Sequence, residues 1–133
     1  MRDFVRQQTA RLLDQFAEQL TVAARTGDAD AIHDLRVSIR RLSRCLRVFA
    51  EFYPGRSWKK VRAQLSDLLH TAGIVRDRDI GLDLLVAAGV SKRAALAARL
   101  ADERREASRE LWIEIRRWQE RNIASKWRRR LGL

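Results

Sequence analysis

Proline occurs once and glycine six times in 133 residues. A sheet-rich fold needs such turn residues far more often, and Ala, Leu, Arg and Glu abound, so long helices are expected. Cysteine also occurs once, as Cys45. One cysteine makes no intramolecular disulfide and no Cys-based zinc site, which suits a reducing cytoplasm. No apolar run approaches the roughly 20 residues of a membrane span. The opening stretch MRDFVRQQTARLLDQF mixes acids with its apolar residues and does not read as a secretory signal. A soluble cytoplasmic protein is therefore expected. The phosphate loop GxxxxGK[ST] is missing too, which argues against nucleotide hydrolysis of the P-loop kind.

Carboxylates are also in short supply. Lys and Arg together number 28 against 17 Asp and Glu, a formal net charge of +11. Net charge speaks to partners, and this surplus points to a polyanion: nucleic acid, an anionic membrane surface or a phosphate polymer. Lys59, Lys60, Lys92 and Lys126 are the only lysines. The remaining cations are arginines, whose planar donor fork grips phosphate oxygens in pairs.

Apolar periodicity divides the chain into four helices, near 2–25, 30–53, 57–88 and 91–125. The first carries Val5, Leu12, Leu13, Phe16, Leu20 and Ala24 on one face. TGDAD interrupts it, with Gly27 as a C-terminal stop and Asp28 or Asp30 as the next cap. YPGRS ends the second helix, and AGVSKR ends the third, with Ser57 and Ser91 as caps for the helices that follow. Gly73 suggests a bend in the third. Short connections between long helices predict an all-α fold, an antiparallel four-helix bundle forming a single domain. The terminal KWRRRLGL reads as a frayed cationic tail.

The second helix is AIHDLRVSIRRLSRCLRVF. On a wheel of 100° per residue, Arg36, Arg40, Arg44 and Arg47 fall within about 60° of His33. Ile32, Leu35, Ile39, Leu42, Leu46 and Phe49 form a separate apolar stripe, centred roughly 120° away. The ordinary fate of a charge run is a solvated face paired to acids on a neighbour. Between His33 and Arg47 this stripe contains no acid, and no carboxylate stands three or four residues from Arg36, Arg40 or Arg44 to relieve their repulsion. From His33 to Arg47 the helix rises about 21 Å, too long for a single phosphate and well matched to a linear polyanion.

The third helix has Trp58, Val61, Leu65, Leu68 and Ala72 on its core face, flanked by Lys59 and Arg62, with Ser66 and Gly73 on the same side. GIVRDRDI follows, holding Arg76, Asp77, Arg78 and Asp79. If the second and third helices are antiparallel neighbours, these cations form the facing wall of one groove. Gly73 would then let a ligand approach the backbone.

IHDLRVSIRRLSRCLRVF, followed some forty residues after its histidine by AGIVRDRDI, resembles the CHAD family, the conserved histidine α-helical domain. The resemblance covers residues from about 1 to 120. It implies a helical bundle that binds inorganic polyphosphate in a basic groove. His33 corresponds to the family's histidine, Arg36, Arg40, Arg41 and Arg47 to its arginines, and Arg76, Asp77 and Asp79 to its Arg-Asp-x-Asp element. Many members read Arg-Arg-Leu-Arg where this chain has Arg40-Arg41-Leu42-Ser43, with arginine one place later at Arg44. Typical members are about twice as long, two similar four-helix halves around a shared cavity. This chain matches one half, which suggests a homodimer whose two-fold symmetry replaces the internal one.

The expected polyphosphate-binding set is His33, Arg36, Arg40, Arg41, Arg44, Arg47, Lys59, Arg62 and Arg76. His33 would donate a hydrogen bond to a phosphate oxygen. No catalytic residue, cofactor or metal is expected, since His70 is the only other histidine and lies far along the chain. Asp77 and Asp79 point to nearly opposite sides of a helix and would not share an ion. They are expected to orient Arg76 and Arg78 or to pair with arginines of the second helix. Trp112, Ile115 and Trp118 read as core, with a dimer contact through the last helix as an additional reading. Nucleic acid enters as a competing polyanion, because the basic stripe lacks aromatics for stacking and no helix-turn-helix spacing appears. A phosphohydrolase or phosphotransferase is the third and least favoured reading. Polyphosphate granules are an expected cellular location.

Overall fold

The computed structural model describes all 133 residues. The chain is all-α: α1 Arg2–Thr26, α2 Ala29–Val48, α3 Ser57–Ala87, α4 Ala95–Glu120 and a short α5 Ile123–Arg130. Each long helix packs on the next, and α1 also meets α4. Arg36 of α2 lies beside Gly73 of α3, and Ser43 beside Arg62, so the two helices run in opposite directions. Arg78 and Asp79 of α3 pair with Glu103 and Arg104 of α4.

The predicted apolar stripes form the core. Val5, Leu13, Phe16 and Leu20 of α1 meet Ile32, Leu35, Ile39, Leu42 and Leu46 of α2 and Val61, Leu65, Leu68 and Ala72 of α3. Leu12, Ala24, Phe49 and Trp58 pack against its edge, half-buried. Removing this apolar area from water is the main force holding the helices together.

Gly27 stops α1 in the left-handed conformation (φ 60°), its N–H donating to Ala23 O. Asp28 then caps α2, Oδ1 accepting from Ala31 N at 2.8 Å. Both follow the expected chemistry of helix ends.

Other boundaries differ from expectation. α2 ends at Val48 instead of residue 53, and Ala50–Phe52 tighten into a 3-10 turn. Pro54 explains this, because the residue before proline is driven out of the helical region, and Tyr53 is extended (φ −96°, ψ 147°). Ser57 is the first residue of α3 and not its cap. Its hydroxyl lies 3.0 Å from Pro54 O and 2.9 Å from Arg130 O, tying the start of α3 to the end of α5. Ser91 accepts from Arg93 N inside a turn, and α4 begins only at Ala95.

α3 runs unbroken through Gly73. The frayed tail is also corrected. Asn122 adopts φ 52° and turns the chain after α4, a conformation that asparagine tolerates better than most residues. α5 then folds back and buries Ile123, Trp127 and Leu131. The Trp127 ring stacks on Phe16 at 5.7 Å, meets Trp118 edge-on at 5.3 Å and donates Nε1–H to Gln64 Oε1 at 3.2 Å. No helix is long and apolar enough to cross a membrane.

Candidate functional site

α2 and α3 leave an open groove between them. One part, of about 370 Å³, is lined by Ile39, Arg40, Ser43, Arg44, Arg47, Arg62, Ser66 and Leu69. The adjoining part is lined by Arg36, Ser66, Leu69, His70, Gly73, Ile74 and Asp77. Ser66 and Leu69 line both, so the two parts adjoin along α3. Arg36 to Arg47 spans about 16 Å of helix rise along one wall.

Two features set the arginines in place. Arg62 Nε donates to Ser43 Oγ at 3.2 Å, linking the walls. Ser43 thus orients a cation from the facing helix. At the other end the Arg36 guanidinium lies over Gly73, with Nη2 3.6 Å from the position of a β-carbon on that residue. The clearance expected at Gly73 for a ligand is thus occupied by an arginine of the protein itself.

The electrostatics favour an anion. The ion pairs of the molecule involve Arg78, Arg99, Arg104, Arg105 and Arg128, and none involves Arg36, Arg40, Arg44, Arg47 or Arg62. Asp77 is the only acid lining the groove. Burial, followed by the nearby Arg40 charge, pushes the Arg36 guanidinium below the usual arginine range. Asp77 acts in the opposite sense and Arg76 adds to the depression. Arg36 Nε is buried with no acceptor. A buried cationic donor lacking an acceptor is costly, so Arg36 stands at the groove with hydrogen-bonding capacity the protein does not use.

The structure brings five of the nine expected residues into the groove: Arg36, Arg40, Arg44, Arg47 and Arg62. Arg41 faces away, in a depression between α1 and α2 lined also by Glu18 and Asp34. It stands 100° around the helix from Arg40, which carries it past the edge of the stripe. His33 is exposed and lines neither part of the groove. Lys59 is exposed one turn from Arg62, its Nζ 5.6 Å from the centre of the Trp58 ring. Arg76 is half-buried near Arg36 without lining the groove.

His70 is the groove residue that was overlooked. It lies within about 40° of Ser66 on the α3 wheel, close also to Arg62, Gly73 and Asp77. That spacing places all five on one stripe.

Of the two carboxylates of the Arg-Asp-x-Asp element, Asp77 lies beside Arg36 of α2 and acts on its charge, as expected, whereas Asp79 does not. Asp79 is buried and pairs with Arg104 of α4 at 2.8 Å, not with Arg76, Arg78 or α2. Arg78 pairs with Glu103 at 3.2 Å. Ile115 is core, and Trp118 packs edge-on against Phe16 and Trp127. Trp112 alone of that trio is exposed. No three His, Cys, Asp or Glu side chains converge on a point that would hold a metal ion.

The profile of the CHAD domain matches residues 7–132. No curated protein and no solved structure matches the chain. With nearly the whole chain matched, and with the paired motifs lying on the adjacent helices α2 and α3, this protein belongs to the CHAD domain family.

Proposed function

We propose that the α2–α3 groove binds inorganic polyphosphate as a linear chain. CHAD domains are associated in general with polyphosphate-related proteins, and the groove supplies a specific means. The observation that carries the reading is the row of Arg36, Arg40, Arg44, Arg47 and Arg62, none held by a carboxylate. Guanidinium groups repeated along about 16 Å of helix match a polymer whose every unit carries charged oxygens. Binding relieves the repulsion within the row.

The protein acts in this reading as a binder and not an enzyme. Ser66, His70 and the single carboxylate, Asp77, all line the groove, but no hydrogen bond joins any two of them into a relay, and there is no phosphate loop. Nucleic acid is the weaker ligand, because no Phe, Tyr or Trp lines the groove for bases to stack on. The groove is open on one side, so a second copy would close it, and a homodimer is part of the proposal. With Ile115 and Trp118 committed to the core, a contact through α4 would rest on the exposed Trp112 and Ile113. A cytoplasmic location at polyphosphate granules belongs to the same proposal, and the buried free thiol of Cys45 is compatible with a reducing compartment.

Competition binding at about 0.15 M salt tests the ligand. Long-chain polyphosphate should displace both single- and double-stranded nucleic acid. Nucleic acid binding as well as polyphosphate, or better, rejects the proposal. Light scattering tests the dimer, with a monomeric mass as the contrary result.

A further inference from the structure

A second depression lies between the C-terminal end of α1 and α4, and it shares no residue with the groove. It holds about 470 Å³, within the range of small-molecule sites. Its floor is apolar, built by the fully buried Ile32, Leu111 and Ile115. Its rim carries Arg25 from α1 and Arg105 and Arg109 from α4.

The charge is again aimed. On the α4 wheel an arc of about 160°, from Leu111 round to Arg109, contains Arg104, Arg105, Arg109 and Arg116 and no acid. Glu103, Glu106, Glu110 and Glu114 lie on the opposite side, while Asp102 and Glu120 stand about 20° past the Arg109 edge, Asp102 held by Arg105. Arg104 is already engaged, by Asp79 Oδ1 at 2.8 Å and Gly27 O at 2.9 Å, and forms a fixed wall. Arg105 is shared with Asp102. Arg25 and Arg109 have no carboxylate partner and no side-chain hydrogen bond.

Trp112 completes the depression. Its side is half exposed, a costly position for an indole, yet the ring is pinned by Nε1–H donating to Ala24 O at 3.2 Å. The Arg116 guanidinium stands 5.9 Å from the ring centre. A fixed indole offers a ready stacking surface without loss of side-chain freedom on binding.

An apolar floor, an immobilised indole and two unpaired guanidinium groups select for a ligand that is flat and apolar at one end and multiply anionic at the other. We propose that this is a second, independent binding site for a small organic phosphate of the nucleoside diphosphate class. The base lies over the floor against Trp112, and the phosphates meet Arg25 and Arg109. Inorganic polyphosphate has nothing to bury on this floor and belongs to the groove.

Calorimetric titration with ADP tests the site, with adenosine and inorganic pyrophosphate as separate arms. ADP should bind with one-to-one stoichiometry and more tightly than either fragment. R109E should weaken it by about tenfold or more, as loss of a charge-assisted contact requires. R40E/R44E, which alters only the groove, should leave it unchanged. Arg109 is exposed, so its replacement leaves the fold intact, and a thermal melt confirms that. The proposal is overturned if ADP fails to saturate at millimolar concentration, if R109E leaves the affinity unmoved, or if R40E/R44E lowers it equally. Pyrophosphate matching ADP would also overturn it, since only the charge would then be read.

Discussion

The Arg36 guanidinium of α2 rests over Gly73 of α3, its Nη2 3.6 Å from where a β-carbon on that glycine would stand. A distance of 3.6 Å is ordinary van der Waals contact, so a methyl group fits and anything longer must move the arginine. Gly73→Ala should therefore stabilise the protein by up to about 1 kcal/mol, the helix-interior difference between the two residues. In a chain of this size that is a rise of roughly 4 °C in the melting temperature. Gly73→Leu should instead displace Arg36 and weaken polyphosphate binding. Melting curves and polyphosphate titrations of the two variants check the contrast.

Asp77, alone among the groove's acids, offsets part of the charge that the arginines present. Asp77→Asn should raise polyphosphate affinity by a few-fold and steepen its fall with salt, because one more net cation meets the chain. Titrations at three salt concentrations read both effects.

Asp79 serves the fold. Its carboxylate, buried against Arg104, holds α3 to α4, and Arg104 in turn reaches Gly27 O at the end of α1. Breaking a buried ion pair from one side leaves an uncompensated charge, so Asp79→Ala should cost about 3 kcal/mol. Denaturant unfolding measures that loss. The folded fraction should bind polyphosphate as the parent does, since Asp79 does not line the groove.

Alkaline pH tests a different buried group. Tyr53 OH lies 2.7 Å from Thr9 Oγ1 and 3.7 Å from Cys45 Sγ. Burial, with the Cys45 contact adding to it, raises its pKa well above the usual tyrosine value, the Thr9 bond acting in the other direction. An acid whose pKa is higher in the folded state holds its proton there while the unfolded chain loses it. Stability from this group is fully present below about pH 10, the unfolded value, and declines as pH rises beyond it. Tyr53→Phe should remove that part of the alkaline decline, at a cost of about 1 kcal/mol at neutral pH for the lost hydrogen bond. Unfolding free energies on either side of that pH, for parent and variant, provide the check.

The stripes of α1, α2 and α3 were legible because each buries a single face, and a period of 3.6 has no competing reading. The groove was legible on α2 for the same reason: Arg36, Arg40, Arg44 and Arg47 share one line. Arg41 follows the family motif and not the stripe, because neighbouring positions on a helix point 100° apart. His70 belongs to the Arg62–Ser66–Gly73 stripe of α3, a placement legible from the 100° spacing alone. Ser57 and Ser91 looked like caps, but the hydroxyl of one is turned to two carbonyls and the other lies in a turn ahead of its helix. α5 was hidden by its cations. Ile123, Trp127 and Leu131 recur at intervals of four, a helical signal short enough to be masked by Lys126 and three arginines.

α5 is therefore a structural element with a measurable weight. Trp127 is fully buried between Phe16, Trp118 and Gln64. Trp127→Ala should cost about 4 kcal/mol, in line with removing a large core aromatic. Chemical denaturation measures it, and a loss below about 1 kcal/mol would restore the reading of this segment as a loose tail.

The central claim is that the aligned guanidinium groups of α2 hold a chain of phosphates, and R40E/R44E meets it most directly. Both side chains are exposed and neither forms an ion pair, so helicity and melting should stay close to those of the parent. Titrated with long-chain polyphosphate, the variant should show no measurable binding where the parent saturates. A folded variant that binds polyphosphate with the parent's affinity would show the arginine row to be only a solvated face.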